Sequence, residues 1–77
     1  MPGAFVLINV ESGSQDSVLK DLRTVAPIEE SHMFYGAYDL IVKVKSESMH
    51  DLKEIVSYKI RAIKNVRSTL TLMMVNE

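Results

Sequence analysis

Cysteine is absent from this sequence, and so is tryptophan. Without cysteine there is no disulfide framework, and thiolate metal sites are excluded with it. Two histidines alone leave a structural zinc site short of its usual ligands, so no metal and no cofactor is expected. Charge of one sign is also scarce: nine Lys and Arg against ten Asp and Glu give a net charge of −1. Non-specific nucleic-acid binding needs a dense positive face to neutralise phosphates, and this balance does not supply one. No apolar run approaches the ~20 residues of a membrane span. Met1-Pro2-Gly3 lacks the basic region and cleavage site of a signal peptide. The expectation is a cytoplasmic protein that contacts neither membrane nor DNA directly.

What is present is a short chain rich in apolar residues. Residues 1–77 are read as one domain, with no room for a second. A domain of this size buries only about 60% of its unfolded surface, so its own core is marginal. With disulfides and metal set aside, self-association is the favoured remedy, and a 47% hydrophobic content can furnish the interface.

Ala4 to Val10 is almost continuously apolar, with Asn9 the one polar interruption, which suits a central strand. Ser14 can cap a following helix with its hydroxyl, and Asp16 suits the positive end of the helix dipole. Val18, Leu19, Leu22 and Val25 recur at helical spacing until Pro27. Ile28 to Tyr35 reads as a second strand, Gly36-Ala37 as a tight return, and Asp39 to Lys45 as a third strand. Ser46 and Ser48 offer caps for a second helix carrying the stripe Met49, Leu52, Ile55, Val56, Ile60 and Ile63. Lys59, Arg61 and Lys64 complement the dipole at its end, and Asn65 can take the left-handed geometry beyond it; with Arg67 these cations could also bind an anion, but charge compensation is the default reading.

Val66 to Val75 is the last strand. Strict alternation places Val66, Ser68, Leu70, Leu72 and Met74 under the helices, and Arg67, Thr69, Thr71, Met73 and Val75 on the other side. The order β-α-β-β-α-β predicts an α+β ferredoxin-like sandwich, a four-stranded antiparallel sheet with two helices on one face. Ile41, Met73 and Val75 would then line an uncovered apolar face, which is an interaction site by default. Two copies packed sheet to sheet, a dimeric α+β barrel, would cover it.

Two stretches carry a family resemblance. Gly36-Ala37-Tyr38-Asp39-Leu40 followed by Ile41-Val42-Lys43-Val44 resembles the G-x-Y-D-apolar hairpin of the ligand-binding (RAM) domain of Lrp/AsnC feast/famine regulators. Ile55 to Thr71 looks like that family's second helix and last strand, with the V-x-x-T-x-T signature at Val66, Thr69 and Thr71. The resemblance implies a non-catalytic, amino-acid-binding oligomerisation module tied to transcription regulation of amino-acid metabolism. It further implies homo-oligomers, from a dimer through tetramers up to decamers, with the effector between protomers near the hairpin. The winged helix-turn-helix that precedes such domains is not part of these residues, so the expected partners include full-length regulators of the same type. Asn65 stands where the family often has Gly.

Gly36, Ala37, Tyr38, Asp39, Thr69 and Thr71 are the candidate ligand-binding residues. Asp39 can pair with a ligand ammonium or tie down its own turn. Gly36 allows the turn through positive φ and lets a ligand carboxylate approach backbone N–H groups. The threonine hydroxyls can donate to a ligand or pair across strands. Tyr38 can wall a pocket or pack at an interface. His32 and His50 lie far apart in sequence and read as surface residues, and Met33, Met49, Met73 and Met74 as packing. No Gly-rich phosphate loop, catalytic carboxylate pair or Ser/His/Asp set is apparent. Two alternatives share the topology. One is a small monooxygenase-like α+β barrel enzyme, which would need acid and base groups in the cleft. The other is an ACT-type regulatory domain, with its ligand near Ser12-Gly13-Ser14.

Overall fold

Alternate residues of the first strand are sealed from water: Ala4, Val6 and Ile8 are fully buried and Val10 nearly so, while Phe5, Leu7 and Asn9 point the other way. In the computed structural model, which describes residues 2–75, this strand, β1 (Gly3–Val10), lies inside a four-stranded sheet. The remaining elements are α1 (Gln15–Leu22), β2 (Ile28–Met33), β3 (Leu40–Lys45), α2 (Met49–Glu54) and β4 (Val66–Met73). The strand order is β2-β3-β1-β4 and every pairing is antiparallel. This is the ferredoxin-like arrangement that the element order predicts.

Both helices close one face of the sheet. Leu40, Val42 and Val44 of β3 join the inward residues of β1, and Val18, Leu22, Leu52, Ile55, Val56 and Ile60 cover them as one cluster. At about 25 cal/mol per Å² of apolar surface removed from water, this layer supplies most of the drive to fold.

The helices depart from expectation at their ends. Ser14 precedes α1, but its hydroxyl caps nothing; instead Ser17 Oγ donates to the Ser14 carbonyl at 3.1 Å. The helix stops at Leu22, before Pro27 can act on it, and Thr24 Oγ1 donates to the Asp21 carbonyl at 2.7 Å. Ser48 does cap α2, accepting from the Asp51 N–H at 3.0 Å. Beyond Glu54 the helix widens into a π-helical segment, Ile55–Ile60, where the Arg61 N–H donates to the Val56 carbonyl five residues back. The buried pair Ile55 and Ile60 is spaced by the same five residues, so the wider turn keeps both on the sheet. Such π-turns are rare and often frame functional sites. Asn65 has φ 74°, the left-handed geometry expected there.

Two strand expectations are corrected. The β2–β3 return is not tight at Gly36-Ala37: the strands end at Met33 and restart at Leu40, and residues 34–39 form a longer loop closed by the Phe34 N–H on the Asp39 carbonyl at 2.8 Å. The facing of β4 is also reversed along most of its length. Val66 pairs with Val10, but Ser68 already pairs with Asn9, so an irregularity at Arg67 shifts the alternation by one residue. Thr69, Thr71 and Met73 therefore pair with Ile8, Val6 and Ala4 on the helix side, and Leu70 and Leu72 pair with Leu7 and Phe5 on the open side. One inserted residue flips every side chain that follows.

Candidate ligand-binding site

Asp39 sits where the hairpin loop rejoins the sheet. Its Oδ2 accepts the Val10 N–H at 2.9 Å, and its own N–H donates to the Ile8 carbonyl at 3.0 Å. The carboxylate thus ties the start of β3 to the end of β1, close to the register shift between Asn9 and Val10. With Gln15, Asp16, Phe34 and Tyr35 it lines a groove of about 240 Å³. Gly36 has φ 153°, a conformation that favours glycine, and Tyr35 beside it is fully exposed. Ala37 is exposed and Tyr38 half-buried. The loop tip is unusually apolar for a solvent-facing segment.

Thr69 and Thr71 lie elsewhere. Because β4 faces the helices here, their hydroxyls open into a groove of about 260 Å³ between β4 and the second helix. The helix side supplies Lys53, Ser57 and Arg61, one residue every four. Residues four apart share a helix face, so this row runs alongside the alternate residues of the strand. Val56 and Met73 complete the lining. Lys53 and Ser57 are not among the sequence candidates, and the sequence reads Arg61, with Lys59, Lys64 and Arg67, as helix-end charge compensation rather than as an anion site. The i, i+4, i+8 spacing of Lys53, Ser57 and Arg61 was visible, but its meaning depends on the facing of β4.

The hairpin and threonine grooves share no lining residue. Leu40, next to Asp39, pairs with Ile8, and Ile8 pairs with Thr69, so two strand spacings of about 4.8 Å each separate the rows. The fully buried Val6 and Ile8 lie between them. The two rows therefore line separate grooves of one protomer. The histidines lie outside both grooves: His32 pairs with Glu30 at 3.2 Å and His50 with Glu54 at 3.3 Å. Among the described residues no group of three or more His, Asp or Glu could hold a metal ion, and no helix is long and apolar enough to cross a membrane.

Residues 3–77 match the Lrp/AsnC ligand binding domain family. The chain belongs to that family. It is 32% identical over 73 residues to an uncharacterised HTH-type transcriptional regulator of Pyrococcus furiosus, a match covering 91% of this chain and 49% of the relative. It is also 35% identical over 74 residues to a homocitrate synthase of Saccharolobus islandicus, covering 92% of this chain and 16% of the enzyme. Among solved structures, a hypothetical protein from Pyrococcus horikoshii superposes with a TM-score of 0.92 at 32% identity, over 100% of this chain and 93% of that one. The chain thus spans about half the length of the curated regulators it matches.

The sheet of this Lrp/AsnC domain leaves one face bare. Phe5 and Leu72 pair across it, as do Leu7 with Leu70 and Leu7 with Ile41, and Phe5, Leu70 and Leu72 are 38%, 45% and 49% exposed. Lys43 borders the patch opposite Glu30, and His32 lies beside Ile41. Ile41 lies on this face as expected. Met73 does not; it packs against the core from the helix side, and Leu70 and Leu72 hold the positions that strict alternation gave to its row. Val75, 88% exposed, lies past the end of β4.

Proposed function

We propose that this domain is a non-catalytic amino-acid sensor whose ligand site is completed only when protomers assemble. Membership of the Lrp/AsnC ligand-binding family supplies the class of function. The observation that carries the mechanism is the separation of the two candidate rows. Asp39 lines the groove at the hairpin loop, and Thr69 and Thr71 open into a different one. In the assembled protein a ligand held by both takes the hairpin from one copy and the threonines from another. Asp39 retains lone pairs beyond the one used by Val10 and can accept from an ammonium, while the threonine hydroxyls donate to a carboxylate. The bare sheet face around Phe5, Leu7, Leu70 and Leu72 forms the first dimer contact, and the exposed loop tip at Phe34 and Tyr35 reaches the next dimer.

In this reading the whole chain is one effector-binding and oligomerisation unit. The two helices of the described residues are packed on the sheet, so any operator contact belongs to another domain or to a full-length regulator joined through the same surfaces. That related segments occur in a regulator and in a biosynthetic enzyme fits a sensing unit separable from its output. The test is calorimetric titration of the chain with each of the twenty amino acids, with light scattering on the same samples. Binding of one or a few, with a change in mass, is the expected result. A stable oligomer that binds none of them would leave a structural assembly unit and overturn the sensor reading.

A further inference from the structure

We propose that the groove between β4 and the second helix, α2 with its π-helical continuation, is selective for anions, and that the effector is a dicarboxylate, an acidic amino acid, with Lys53 and Arg61 setting that choice. This rests on the composite site above for the amino group and on the groove alone for the charge. Five polar side chains line the groove, two of them cationic and three of them hydroxyls, and none is acidic. Lys53 and Arg61 form no ion pair among the described residues, and neither do Ser57, Thr69 and Thr71 donate a side-chain hydrogen bond. Elsewhere Arg67 pairs with Glu11 at 3.6 Å and Lys43 with Glu29 at 4.0 Å, while Lys20, Arg23, Lys59 and Lys64 also form no ion pair among the described residues; the groove differs in bringing two such cations together with three hydroxyls. Its lining carries two cations and no carboxylate, although the chain as a whole has nearly equal numbers of both charges.

The donors also outnumber what one carboxylate can use. A carboxylate has about four lone-pair sites, and the five groups here offer more donors than that, with the guanidinium able to engage two oxygens by itself. A neutral amino acid would place its single carboxylate here and leave a cation unmatched. A second carboxylate on the ligand matches it. The strand positions argue the same way. Thr69 and Thr71 face Ile8 and Val6, both fully buried, on the side where β1 and β3 present only aliphatic residues. Polar groups at the margin of such a layer are satisfied by water or by a polar ligand. At about 260 Å³ the groove falls a little below the ~300 Å³ at which drug-sized pockets begin, a scale that suits an amino acid.

The experiment is calorimetry on the full chain with L-aspartate, L-glutamate, L-asparagine, L-glutamine and the amine-free succinate and glutarate. It is repeated on Lys53→Gln and Arg61→Gln, both exposed positions whose folding is checked by circular dichroism. An acidic amino acid is expected to bind at least about tenfold tighter than its amide, the scale of one charge-assisted bond. Each variant should remove most of that preference, and the affinity should fall with added salt. Amides binding as tightly as acids, or a preference that survives Arg61→Gln, would overturn the anion assignment and leave the composite amino-acid site standing. Succinate or glutarate binding through Arg61, with no amino acid bound, would support the groove and overturn the amino-acid reading. Failure of every dicarboxylate to bind overturns the proposal.

Discussion

Replacing Asp39 with alanine is expected to destabilise the domain by about 2 kcal/mol, within the ~1.5–3 kcal/mol of hydrogen bonds to charged groups. The carboxylate accepts the Val10 N–H at 2.9 Å, across 29 residues of sequence. Val10 lies at the break in the β1–β4 register and is 4% exposed. Its N–H would be left without this partner in a place where water has poor access. The backbone bonds of residue 39, to Ile8 and from Phe34, survive the substitution, so the change reports on the carboxylate. Asp39→Asn keeps an acceptor oxygen of the same shape and should lose less than about 1 kcal/mol, since a neutral bond replaces a charge-assisted one.

Urea unfolding at a fixed protein concentration is the assay, because self-association adds to apparent stability. For a domain of this size each kcal/mol moves the thermal midpoint by roughly 4–8 °C, so the alanine variant should melt about 8–16 °C lower. An alanine variant within about 0.5 kcal/mol of the parent, below that ~1.5–3 kcal/mol range, would refute the bond as a stabilising tie. The asparagine variant then separates structure from binding. A folded Asp39→Asn that no longer binds an amino acid assigns the charge to the ligand ammonium.

Three further outcomes test the fold and the assembly. Ser48→Ala removes the side-chain cap of α2 and should lower stability by about 1 kcal/mol in the same urea assay, whereas Ser14→Ala, which removes no cap bond, should be close to neutral. Ile60→Ala opens a cavity beneath the π-helical segment at a fully buried position and should cost about 2–5 kcal/mol by chemical denaturation. Leu72→Lys puts a charge on the bare sheet face while sparing the core, so light scattering should show a smaller particle that remains folded by circular dichroism; an unchanged mass would place the first dimer contact elsewhere.

The order of elements was legible because each announces itself locally. Ala4 to Val10 read correctly as a central strand, and the stripe through Leu52, Ile55, Val56 and Ile60 as the buried face of the second helix. The facing of β4 was not legible, because alternation carries no marker for an inserted residue. Val66 was placed correctly against the helices, and one irregularity at Arg67 then reversed everything after it. That single shift moved Thr69 and Thr71 from the bare face into the α2–β4 groove and put Leu70 and Leu72 in their place. It also hid the grouping of Arg61 with Lys53 and Ser57, whose spacing gains meaning only when the strand beside them turns polar side chains their way. The loop at residues 34–39 failed for another reason. Gly36-Ala37 carries a turn signal, but Phe34, Tyr35 and Tyr38 carry strand signals, and propensity cannot say where pairing stops.

A site divided between protomers has a thermodynamic consequence that a site inside one protomer lacks. If ligand binds only where the hairpin of one copy meets the α2–β4 groove of another, the binding energy is added wholly to the assembled state. The gain is RT ln(1 + [L]/Kd) per site, about 2.7 kcal/mol at a hundredfold excess over Kd, and it grows only logarithmically with effector. The contact between dimers must then be weak when empty, or the ligand would have nothing left to decide. The surfaces fit that requirement. The bare sheet face presents Phe5, Leu70 and Leu72 together, while the loop tip offers only a few exposed side chains around Phe34 and Tyr35. In the proposed arrangement a strong interface would hold the pair together, and a weak one, carrying half of each ligand site, would be left for the effector to close. In this arrangement, strengthening the loop-tip contact by mutation should raise the apparent affinity for ligand and reduce the mass change that ligand produces.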